Sequence, residues 1–145
     1  MAERRMFTQK ITESDAFLDM PSSTQAYYFH LCMNADDDGF VKNPKVILRM
    51  TGVNDSDLKL LISKRFVLDF ESGVIVIKHW RMHNLLRKDR YKETEYQDEK
   101  SRLYIKENGA YTFDESQGKL LMATIWQPND NRLEPQVSIG KDRID

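Results

Sequence analysis

Ser56, Lys59 and Ser63 stand at i, i+3 and i+7, so on a helix they share one face and offer two hydroxyls and an ammonium to a nucleic-acid groove. Lys45 and Arg49, four residues apart, follow Lys42 and Asn43 and are of the types that hold backbone phosphates. The gain from such cations is electrostatic and carries no sequence information. Further on, Lys78 and Arg81 lead into Arg87, Lys88, Arg90 and Lys92, with Trp80 and Tyr91 interleaved; from Arg81 to Lys92 five basic residues meet one acid, Asp89. An extension of this kind can lie along phosphates or stack on unpaired bases. The plainer alternative is a core Trp80 followed by a solvated charged segment.

Other chemistries fit the residues less well. His79 and His83 are four apart, a spacing that on a helix places two imidazoles on one face, but no Glu follows His79 in a metalloprotease arrangement and His79 reads as the end of a strand. Asp36, Asp37 and Asp38 before Gly39 lack the alternating spacing and distal Glu of a calcium loop, and a turn between helix and strand accounts for them. Cys32 lies in an apolar helix and reads as packed. There is no Gly-rich phosphate loop and no Gly-x-Ser-x-Gly. The expectation is a protein without catalytic constellation, metal or cofactor.

Charge supports a polyanion partner. The chain carries 22 Lys and Arg against 23 Asp and Glu, a net charge of -1. That balance hides an asymmetry: residues 39–92 hold 12 basic and 5 acidic residues, or +7, and the remainder holds 10 and 18, or -8. A basic half can steer a polyanion while an acidic half limits non-specific adhesion or meets a basic partner; two merely solvated faces would look the same. The 145 residues allow one compact domain and some tail. Mean hydropathy is -0.64, and no apolar run approaches the roughly 18 residues of a membrane span. The opening MAERRMFTQK lacks the apolar stretch of a secretory signal. With one cysteine there is no disulfide framework. A cytoplasmic address without membrane contact is expected, with stability from packing.

The elements that must position these side chains can be read in order. Thr12 with Asp15 weakly marks a short helix over Ser14 to Leu18. Ser22 with Gln25 fits a capping box opening a core helix over residues 22–34, and Ala26, Tyr27, Phe29, His30, Leu31 and Met33 form its apolar face. Phe40-Val41 is a brief extended piece. Asn43-Pro44 opens a short helix ending at Thr51-Gly52, and Asn54 or Asp55 caps the next, with Leu58, Leu61 and Ile62 facing inward. Phe66 to Phe70 and Val74 to Trp80 form a hairpin around Glu71-Ser72-Gly73. This order predicts an α+β fold, a winged helix-turn-helix with a three-helix core, a small antiparallel sheet with a β-hairpin wing, and a C-terminal helix and tail. A further helix is expected over Glu95 to Lys106, and a strand over Leu120 to Trp126. The expected division is a winged-helix domain with helical extension over 1–106, and a short strand, linker and flexible tail over 107–145.

Residues 14–45 (SDAFLDMPSSTQAYYFHLCMNADDDGFVKNPK), 54–67 (NDSDLKLLISKRFV), 70–84 (FESGVIVIKHWRMHN) and 87–100 (RKDRYKETEYQDEK) together resemble the N-terminal, DnaD-like winged-helix domain of the phage replisome organizer family. The resemblance covers about residues 5–110. It implies a non-enzymatic protein of phage replication in the bacterial host cytoplasm that binds origin duplex DNA. It also implies the replicative helicase or its loader as a partner; single-stranded DNA is expected from the basic, aromatic extension, and a second copy of the chain because helix-turn-helix proteins are commonly dimers. Members of that family commonly continue past such a linker into a C-terminal helical domain. The rival expectation is a phage-encoded protein-interaction module that uses the same fold for self-assembly or to inhibit a host complex.

Overall fold

The computed structural model describes residues 5–84 and 91–123. Two four-residue helices open it, α1 (Gln9–Thr12) and α2 (Asp15–Leu18). Ser14, not Thr12, starts the second: its Oγ accepts from the Phe17 N–H at 3.3 Å. The long helix α3 (Ser22–Met33) also begins differently from the capping box expected at Ser22. Pro21 is its N-cap, without a side-chain cap, and the Gln25 amide donates to the Met20 carbonyl at 2.9 Å instead of receiving an N–H. Proline's fixed φ sets the chain for the first turn without an acceptor side chain.

Helix α3 buries Thr24, Tyr27, Tyr28, Leu31 and Cys32, a stripe at spacings of three and four that faces two shorter helices. These are α4 (Pro44–Thr51) and α5 (Asp55–Ser63), which also pack on each other. Tyr27 donates its hydroxyl to the Pro44 carbonyl at 2.6 Å, fastening the start of α4. Gly52, at φ +70°, ends α4 in the left-handed conformation that glycine adopts without a Cβ penalty, and its N–H reaches the Leu48 carbonyl at 2.9 Å. Asp57 fixes the start of α5. Its Oδ1 accepts from Thr24 (2.5 Å) and Ser23 (2.9 Å), and its Oδ2 from the Asn54 N–H (3.2 Å). Burial alone would raise this carboxyl's pKa, but the donors outweigh burial and hold it below the usual value.

The sheet beside these helices has the order β1-β3-β2, antiparallel throughout, with β1 (Phe40–Val41), β2 (Val67–Asp69) and β3 (Ile75–Ile77). Phe40 pairs with Val76 and Val41 with Ile75, while Val67 pairs with Ile77 and Leu68 with Val76. The expected hairpin and its third strand therefore form. The second strand is shorter than the expected Val74 to Trp80, because His79 caps a helical turn, α6 (Trp80–His83), that carries Trp80 into the core. Phe17, Tyr28 and Phe66 meet edge to face at 5.3–5.9 Å where α2, α3 and the sheet converge.

The C-terminal part departs most from expectation. The helix expected over Glu95 to Lys106 shrinks to α7 (Gln97–Lys100), and the chain then runs into β4 (Tyr104–Ile105). β4 pairs with β5 (Tyr111–Thr112) and with β6 (Lys119–Leu120) in a second antiparallel sheet, β5-β4-β6. The physical reason is the turn at Asn108-Gly109, with Gly109 at φ +94°, which folds the flanking aromatic and β-branched residues into a hairpin. Leu103, Tyr111 and Leu121 are buried in the common core. A division after residue 106 therefore falls inside a hairpin, and residues 107–123 pack on the main body instead of forming a linker. The expected strand over Leu120 to Trp126 is limited to Lys119–Leu120, followed by a 3-10 turn at Leu121–Ala123; the rest of the expected strand and tail lies outside the described residues. Among the described residues, no helix is long and apolar enough to cross a membrane. The fold is α+β, with seven α-helices among the described residues.

Candidate nucleic-acid interface

Lys42, Asn43, Lys45 and Arg49 are all exposed, on the segment that leaves β1 and forms α4. Pro44, Ile47 and Leu48 turn inward, and the helical period then turns Lys45 and Arg49 out together. No acid occurs between Gly39 and Asn54, and none of the three cations is in an ion pair among the described residues. The same face exposes Val46 and Met50, the latter at 67%.

On α5, Leu58 and Leu61 face the core, and Ser56, Lys59 and Ser63 face solvent, as their spacing predicts. Lys59 pairs with Asp55 one turn back, at 3.5 Å, with both side chains well exposed. A pair of this kind contributes little stability and leaves the ammonium available for exchange. Asp55 also places a negative charge at the start of the face, so α5 is not uniformly positive.

Of the other expected contacts among the described residues, Lys92 shares a groove with Lys42, while Lys78 and Arg81 lie apart. Lys78 follows β3 at the end opposite Lys42, since Val41 pairs with Ile75. Its ammonium is half-buried and its pKa is lowered, first by burial and then by the charges of Lys106 and Arg65. Lys92 is exposed and lies with Lys42 on an open groove of about 250 Å³, but Asp36, Glu93 and Glu95 line the same groove, so it is of mixed charge. Arg87, Lys88 and Arg90 lie outside the described residues.

Arg81, expected to contact DNA, turns inward instead. Its side chain is 9% exposed, 3.8 Å from Asp38 Oδ1, and its guanidinium stands 5.8 Å from the centre of the Tyr111 ring. It faces the interior because a buried carboxylate needs a cation. Trp80 and Tyr91 are not free stacking platforms either: the Trp80 indole donates to the Asp37 carbonyl at 2.9 Å, and the Tyr91 hydroxyl donates to the Asp38 carboxylate at 2.8 Å.

These contacts expose what the sequence reading missed. Asp36, Asp37 and Asp38 do form a turn, but they also anchor the whole segment from Tyr91 to Tyr111. Asp38 accepts from the Thr94 N–H (2.8 Å), lies 3.5 Å from Lys100 Nζ, and offers its carbonyl to the Tyr111 hydroxyl (2.8 Å). Asp37 accepts from the Lys92 N–H at 2.9 Å and faces Arg5 at 3.8 Å. Asp36 accepts from Thr94 Oγ1 and from the N–H groups of Asp38 and Phe40. Burial raises its pKa against the pull of those donors. The available signal was three consecutive acids between an apolar helix and an apolar strand, where burial demands partners; Arg5, Arg81 and Lys100 supply the opposite charges.

His83 is likewise internal. Its Nδ1 accepts from the Thr8 N–H at 3.0 Å, so the neutral ring carries its proton on Nε2 and donates to the Tyr28 hydroxyl at 2.7 Å. Both nitrogens are therefore taken by protein partners, and burial lowers its pKa to about 4. Among the described residues no group of three or more His, Cys, Asp or Glu is placed to hold a metal ion. Comparison with protein-family models, curated proteins and solved structures finds no match.

Proposed function

We propose that the chain is a winged helix-turn-helix protein that binds duplex DNA, in the manner of the phage replisome organizers its sequence resembles, and acts without catalysis in organising replication at an origin. The observation that carries this reading is the α4–α5 pair. A left-handed Gly52 turn joins two short helices on a third. The first presents exposed Lys45 and Arg49, with Lys42 just before it, and the second presents Ser56, Lys59 and Ser63. In this reading Lys42, Lys45 and Arg49 neutralise phosphates, α5 enters the major groove, and Lys59 exchanges Asp55 for a base edge or phosphate. The β2–β3 hairpin is the wing.

A protein-interaction module is the second reading, and the exposed Val46 and Met50 beside the α4 cations favour it, since two apolar side chains on one helical face suit a protein contact. Anisotropy titration of origin duplex, scrambled duplex and single-stranded DNA tests both. Preference for the origin duplex supports the initiator reading. Equal binding to both duplexes reduces it to general duplex binding, and absence of binding at low salt overturns it in favour of a protein partner.

A further inference from the structure

Three cations from separate stretches of chain converge beside α6. Arg65 follows the C-cap of α5, in a left-handed conformation at φ +64°. Phe66, its neighbour, accepts from the Lys78 N–H at 3.2 Å, which brings the ends of β2 and β3 together. The Lys78 carbonyl then accepts from the Tyr111 N–H at 2.9 Å, and Tyr111 pairs with Ile105, the neighbour of Lys106. The β4–β5 hairpin thus delivers Lys106 to the site where Arg65 and Lys78 already stand.

No ion pair compensates them among the described residues. The convergence is felt electrically. Lys78 is driven toward its neutral form by burial and by the other two charges, and burial together with Lys78, His83 and Lys106 lowers the pKa of His79 to about 4. Asp114, an exposed carboxylate that accepts from Ser116, also registers Lys106 and offsets part of its charge. Like charges gathered around a half-buried ammonium oppose folding, and an anion bound among them reverses the sign of that term. The arginine supplies a planar donor fork and the lysines compact point charges, a combination suited to a tetrahedral oxyanion.

We propose that Arg65, Lys78 and Lys106 form a phosphate-binding cluster just beyond the C-terminal end of α5, built where the first sheet meets the second. The inference does not depend on the DNA reading. Its ligand is a phosphate group, carried either by a nucleic-acid strand or by a free phosphate compound.

The test is an amide chemical-shift titration of the whole chain with inorganic pyrophosphate, against sodium chloride at equal ionic strength. Saturable shifts at Arg65, Lys78, Lys106 and Tyr111, specific to pyrophosphate, are expected. In Lys106→Met they weaken at least about tenfold, the scale of one charge-assisted contact, while the melting temperature without ligand stays level or rises because repulsion is relieved. Shifts that fail to saturate, that chloride reproduces, or that survive unchanged in both Lys106→Met and Lys78→Met overturn the proposal. A second arm with short duplex and single-stranded DNA identifies the source. Shifts at the same amides assign a nucleic-acid phosphodiester, and a response to pyrophosphate alone assigns a free phosphate compound.

Discussion

Arg49 and Arg81 are the same residue type from the same basic half of the chain, and the fold gives them opposite surroundings. Arg49 stands on the open face of α4 with Lys45 and no partner acid among the described residues, whereas Arg81 is buried against Asp38 with Lys100 on the same carboxylate. The first environment leaves a cation free to exchange counterions for phosphates. The second uses a cation to make a buried carboxylate tolerable. What separates them is whether an acid reaches the site through the fold. A count of basic residues per segment cannot register that.

The comparison is open to direct challenge, beginning with its buried side. Asp38→Ala leaves Arg81 and Lys100 without their carboxylate and cuts the Tyr91 and Thr94 bonds, so chemical denaturation should register a loss of about 3–5 kcal/mol. Stability within error of the unsubstituted chain would mean that the cluster is dispensable. Acid should weaken the same interior by a different route. The folded-state pKa of His83 is about 4 against 6.5 unperturbed, so the unfolded chain binds more protons between those values. The stabilisation is full above pH 6.5 and is lost as pH falls toward 4, by about 3 kcal/mol. Denaturation curves across that window, with the His83 ring followed by NMR, check it. A ring that titrates near 6.5 contradicts the Thr8–His83–Tyr28 arrangement. Gly39→Ala should cost roughly 2 kcal/mol: the residue is at φ +93°, and an added Cβ would lie 2.6 Å from Trp80 Cγ. Thermal unfolding reads that effect directly.

Lys59→Ala sits at the small end on the exposed side. Its pair with Asp55 is solvent-exposed, and the change in stability should stay within about 0.5 kcal/mol. A larger loss in the melting experiment would show α5 depending on that pair and would blur the contrast between exposed and buried cations.

Much of the first sheet and the three helices was legible because short-range signals agree there. Asn43-Pro44, Thr51-Gly52 and the Glu71-Ser72-Gly73 loop mark their own boundaries, and Leu58 with Leu61 fixes which side of α5 faces out. The C-terminal part was misread because its charges resemble a solvated helix, and the Asn108-Gly109 turn signal was outweighed by scattered apolar residues. Its attachment depends on contacts between residues more than fifty positions apart, such as Asp38 with Thr94. Periodicity has no access to pairings of that range. At the site, the outward orientation of Lys45, Arg49, Ser56, Lys59 and Ser63 followed from helical spacing alone. The inward turn of Arg81 and the grouping of Lys78 with Arg65 and Lys106 depend on tertiary pairing.

The most direct test of the account is the salt dependence of duplex binding by the unsubstituted chain and by the double variant Lys45→Ala, Arg49→Ala. The account predicts a log-log slope of roughly -4 to -5 for the former, reduced by about 2 in the variant, with an unchanged melting temperature. Equal slopes and affinities for the two proteins, or no duplex binding by either, would contradict it.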